Sequence, residues 1–97
     1  MDIELLESIF EKYEDEFGYF ERVENKFSNR PDLHAFILLD KLLPGDGDII
    51  CASEHDQFWL SVDVHELAKV IRLDNIVDLI RCGVIYDPYN EQFYMFD

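Results

Sequence analysis

At Asp63 the chain changes its hydrophobic period. Just before it, Phe58, Leu60 and Val62 alternate with Trp59, Ser61 and Asp63, the two-residue repeat of a strand, whereas the segments on either side repeat in steps of three and four. A chain that carries both periods mixes helix and strand. It is expected to be an α+β domain in which N-terminal helices and two short helices pack on short antiparallel β-hairpins. With 97 residues, 48% of them apolar and 14% aromatic, residues 1–97 are read as one domain with a real core.

The helical period begins at Leu6 and continues through Ile9, Phe10, Tyr13, Phe17, Phe20, Val23 and Phe27, with a break or kink expected near Gly18. Pro31 disfavours helix in the residue before it and suits a first turn, so PDLHAFILLDKLLPG reads as a second, largely buried helix ended by Pro44 and Gly45. DIICASEHDQFWLSVD reads as two strands around a polar tip at Ser53 to Gln57. Asp63 and Glu66 match a capping box opening a short helix through Ile71, and Asp74 is placed to cap another that Gly83 stops. The tail, VIYDPYNEQFYMFD, reads as a hairpin turning at Asp87-Pro88-Tyr89-Asn90. Two short helices followed by a hairpin is the element order of a winged-helix domain, an analogy of order alone. A DNA-reading second helix needs arginine and lysine, and DNIVDLIRCG supplies one arginine and two aspartates.

Charge narrows the function classes. Twenty-two acids against eight bases give a formal charge of −14, which repels phosphates and anionic membrane surfaces. Direct nucleic-acid or membrane binding is therefore not expected. No apolar run reaches the roughly 18 residues of a membrane span, and MDIELLES lacks the basic region of a signal peptide, so the expected location is cytoplasmic. Cys51 and Cys82 have apolar neighbours and no CxxC spacing, and both are expected to be buried thiols in a reducing compartment.

The acids concentrate at the start. On a continuous helix Glu4, Glu7, Glu11, Glu14 and Asp15 fall in one arc opposite the apolar stripe. Like charges three or four apart cost about 0.2–0.5 kcal/mol each, so the close pairs together cost ~1–2 kcal/mol, a burden a cationic partner would relieve. Such carboxylates lie about 5–6 Å apart, close to the phosphate spacing of a nucleic-acid strand. The bland alternative is a solvated face whose acids also complement the helix dipole.

Other constellations carry less. His34 is expected in the core or an interface and His55 in a solvated turn, since no histidine has the spacing of a metal site. Asp46 and Asp48 begin like a calcium loop, but Ile50 stands where a third oxygen ligand is needed. No cofactor is implied. Cys51 with His55 or His65, or the His55/Asp56/Asp63/His65 group, are the only candidate catalytic sets, and no motif supports them, so the chain is read as non-enzymatic. In QFYMF, alternation puts either Phe93 and Met95 or Tyr94 and Phe96 on the outer face. Tyr89, Phe93 and Tyr94 are taken as candidate aromatic anchors.

The expected function is thus an acidic protein-binding inhibitor or decoy that engages a basic, nucleic-acid-binding surface of a partner protein. Phage anti-defence proteins, DNA mimics and bacterial nuclease-immunity proteins work by this physics. The competing expectations are a structural or regulatory homo-oligomer using the terminal hairpin, the chain being monomer or homodimer, and a small thiol- or histidine-dependent enzyme.

Overall fold

A computed structural model describes residues 1–54 and 56–96, so the expected turn residue His55 lies outside the described residues. The elements run α1 (Ile3–Lys12), 3-10 turns at Glu14–Glu16 and Phe20–Arg22, α2 (Pro31–Leu42), β1 (Ile50–Glu54), β2 (Gln57–Leu60), α3 (Val64–Ala68), α4 (Leu73–Arg81), β3 (Ile85–Asp87) and β4 (Gln92–Phe96). The strands form one antiparallel sheet in the order β1-β2-β4-β3. The α+β class is as expected. The terminal hairpin is not a free wing, because Phe58 and Trp59 of β2 pair with Met95 and Tyr94 of β4.

Local signals explain most boundaries. Asp2 caps α1 by accepting from the Leu5 N–H at 2.8 Å. Pro31 opens α2. Asp63 caps α3 by accepting from the N–H groups of His65 and Glu66, while Glu66 itself turns to Lys69, so only half of the capping box forms; the helix ends at Ala68, short of the expected Ile71. At α4 the capping acceptor is Asn75, which takes the Arg72 N–H at 3.1 Å; Asp74 lies in the first turn and pairs with Arg72. Gly83, at φ +95°, lets α4 end in a Schellman pair, with Gly83 N–H to Ile80 C=O and Val84 N–H to Leu79 C=O, both 3.0 Å. Asp87 accepts from the Tyr89 N–H at 2.9 Å and from Asn90 Nδ2 at 2.7 Å, which shapes the final turn and holds its carboxyl below the usual range, the Asn90 bond being the larger cause.

The first helix is shorter than its apolar period predicts. It ends at Lys12, and the chain from Tyr13 to Val23 folds in 3-10 turns with Gly18 at φ +81° donating its N–H to the Ile80 carbonyl. Tertiary contact overrides the period here: Val23 still reaches the core, whereas Phe17 and Phe27 remain exposed. The second helix buries His34, Ala35, Leu38 and Leu39 but leaves Leu33 exposed, so it is half-buried and not largely buried.

One core joins the helices to the inner face of the sheet. Leu6 and Ile9 of α1, Ile76, Leu79 and Ile80 of α4, and Phe93 and Met95 of β4 meet there. The other face of the sheet carries Trp59 and Tyr94, directly opposite each other with ring centroids 4.8 Å apart, and Phe96. Among the described residues, no helix is long and apolar enough to cross a membrane.

Candidate functional site: an acid-rimmed apolar groove

Where α1 ends and the chain turns away, it leaves a groove against the start of the terminal hairpin. The groove is lined on the α1 side by Glu7, Phe10 and Glu11, then Glu14 and Phe17, and on the side of α4 and the hairpin by Ile80, Val84, Ile85, Tyr86, Pro88 and Phe96. Its volume is about 360 Å³. The floor is aromatic: Phe10 lies 5.9 Å from Tyr86 and 5.5 Å from Phe93, centroid to centroid. Tyr86 is buried, its hydroxyl has no hydrogen-bond partner among the described residues, and burial, more than the nearby Glu91, Glu7 and Asp87, pushes its pKa up.

The groove gathers three of the five acids singled out above. Glu7, Glu11 and Glu14 rim it; Glu4 and Asp15 are exposed but do not line it. The single helical arc is corrected, because Glu14 and Asp15 lie beyond the end of α1 in a 3-10 turn. Among the described residues none of the five is in an ion pair. Glu16, one turn residue further on, is the opposite case. Arg81 Nε and Nη2 reach its Oε1 at 2.8 and 2.7 Å, Arg22 holds Oε2, and Arg81 Nη1 also donates to the Arg22 carbonyl at 3.2 Å. The Arg81 hydrogen bond is the main reason that the Glu16 carboxyl sits below its ordinary pKa.

The aromatic anchors separate. Phe93 is wholly buried, because β4 turns Phe93 and Met95 towards the helices, and it cannot touch a partner. Tyr94 and Phe96 are therefore the outward pair. Tyr89 is 95% exposed at the hairpin turn, next to Pro88 of the groove wall. The Tyr94 side of the sheet has a hollow of its own, about 270 Å³, between Trp59, Phe96, Gln57 and the acids Glu54 and Asp56.

The catalytic candidates are not assembled among the described residues. Cys51 is exposed, not buried, because the β1–β2 register shifts between Ile50 and Ala52 and all of β1 faces solvent. Its sulfur neighbours are Gln92 Nε2 at 3.1 Å and, weakly, the Trp59 carbonyl. His65 pairs with Glu91, and Asp63 serves as the α3 cap. Cys82 is buried as expected, its thiol pushed up to about 12 mainly by burial. His34 is also buried, with Phe27 stacked on it at 5.0 Å and the Phe27 N–H donating to Nδ1 at 3.1 Å. No group of three or more His, Cys, Asp or Glu among the described residues is placed to hold a metal ion.

When the chain is compared with protein-family models, with curated proteins and with solved structures, nothing matches. The functional reading rests on the groove.

Proposed function

We propose that this is a non-enzymatic binding protein whose acidic rim neutralises a basic, nucleic-acid-binding surface of a partner protein, acting as an inhibitor or decoy. Cytoplasmic action fits its two free thiols. One observation carries the reading: Glu7, Glu11 and Glu14 stand around an apolar floor with no ion-pair partner among the described residues, in a chain of net charge −14. Carboxylates in a solvated face need no floor. The long-range field would speed encounter, and burial of apolar groove surface would slow release.

The test is capture of partners from a host lysate by wild type and by the Glu7→Gln/Glu11→Gln/Glu14→Gln variant across a salt series. The reading predicts a partner that binds DNA or RNA, is released by salt and by added DNA, and is lost with the triple variant. A captured set that is the same for both proteins contradicts it.

A second reading, homodimerisation, has its own observation in the uncovered aromatic face of Trp59, Tyr94 and Phe96. Light scattering of wild type and of Tyr94→Ser decides it; Phe93 is unsuitable for that test because it belongs to the core, and Phe96 because it also lines the groove.

A further inference from the structure

The groove has a shape as well as a charge, and the shape specifies what kind of surface would fill it. A carboxylate array that only imitated phosphates would need neither Phe10 and Tyr86 beneath it nor Ile85 facing it. Its occupant must bring an apolar stripe flanked by cations. Glu7 and Glu11 stand one turn apart on α1, and Glu14 carries the acidic rim on from the 3-10 turn beyond its end, so the acids run along the line of α1. A helix laid alongside α1 with lysine or arginine at i and i+4 meets Glu7 and Glu11 in step, and a cation further along it reaches towards Glu14. An added strand is the poorer fit, because β3 has only three residues and Pro88, which follows it, offers no N–H.

Resting on the function proposed above, we infer that the groove is a receptor for a basic amphipathic helix of the partner, apolar residues down on Phe10, Tyr86 and Ile85 and cations out to Glu7, Glu11 and Glu14. This is helix-in-groove recognition, in which anchors recur at i, i+3, i+4 and i+7. The charge of the groove excludes an acidic helix, and its apolar floor gives no reward to a purely polar cationic one.

The experiment titrates isotope-labelled full-length protein with three synthetic peptides of equal charge. The first is a 14-residue leucine–lysine peptide with helical amphipathic order, the second the same composition with that order scrambled, and the third a lysine homopeptide. The inference predicts that the ordered peptide binds at least tenfold more tightly than the other two and becomes helical by circular dichroism. It should shift the amide resonances of Glu7, Glu11, Glu14, Phe17 and Ile85. Phe17→Ala, which alters an exposed wall residue, should weaken it several-fold without changing the salt slope; the triple glutamine variant should weaken it and flatten that slope. Equal binding of all three peptides that is still lost in the triple variant overturns the helix and leaves the acidic contact standing. Resonance shifts centred on Trp59 and Tyr94, or binding indifferent to the triple variant, overturn both.

Discussion

Glu14 and Glu16 stand two residues apart in one 3-10 turn and meet opposite fates. Glu16 is held by two arginines, one of them 65 residues away, and ties the turn to α4. Glu14 faces the groove with no cation beside it among the described residues. The chain could have spread its few bases over its many acids, but it gathers Arg22 and Arg81 on Glu16, Arg81 also lying 3.8 Å from Asp78, and leaves the rim alone. Acid content by itself therefore says little about function. What distinguishes structural from available charge here is whether a distant part of the fold supplies the counter-ion.

The same division runs through the terminal hairpin, and there the expected effect is largest. Phe93→Ser removes a wholly buried ring that contacts Phe10 and Tyr86, so denaturant unfolding should show a loss of about 3–5 kcal/mol or no folded protein. Tyr89→Ser, at the exposed turn, should change stability by no more than about 0.5 kcal/mol. Comparable losses for the two would mean that the hairpin does not divide into core and surface in this way.

Glu16→Gln sharpens the contrast with the rim. It should lower the melting temperature at neutral pH, because Arg22 and Arg81 lose their shared anion. Since the Glu16 carboxyl titrates below its ordinary value of 4.5, the wild-type advantage should be present above that value and vanish as pH falls through its lower folded value. A variant as stable as wild type at pH 7 would show that the clamp is ornamental.

A third effect comes from His34, whose pKa is lowered, chiefly by burial. The unfolded chain binds the proton more readily, so stability should begin to fall as pH drops below about 6.5 and go on falling to the lower folded value. His34→Gln, followed by urea unfolding at several pH values, should remove that slope, and an unchanged slope would place the proton elsewhere. Smallest is Tyr86→Phe: deleting a shielded hydroxyl with no described partner should leave stability unchanged or raise it by up to about 1 kcal/mol. A loss beyond that would reveal a hydrogen bond the hydroxyl does make.

Features decided within a few residues were legible in the sequence. Pro31, Asp63, Gly83 and the Asp87 turn set their boundaries by dihedral preference or a neighbouring N–H, so reading them needed no tertiary knowledge. The end of α1 was not legible, because its apolar period runs on past Lys12 while the turn is pinned by Glu16 to Arg81. Cys51 sits in an apolar run that resembles a buried strand, yet β1 is a sheet edge and all five of its residues are exposed. In QFYMF both phases of the alternation are apolar, so only packing could choose Phe93 and Met95 for the core. Glu7, Glu11 and Glu14 were visible as a charged row, but the wall that makes them a groove comes from residues 80–96.

The central claim is that the rim carboxylates repel one another in the free protein and are relieved by a cationic occupant. Urea unfolding at low salt, with and without the ordered leucine–lysine peptide, measures both halves of it for wild type and Glu7→Gln/Glu11→Gln/Glu14→Gln. The account predicts that the triple variant is more stable alone by about 0.4–1 kcal/mol, from the two like-charge pairs relieved within α1, Glu4/Glu7 and Glu7/Glu11, and gains much less from the peptide. A triple variant that is less stable alone, and that gains as much from the peptide as wild type does, would contradict it.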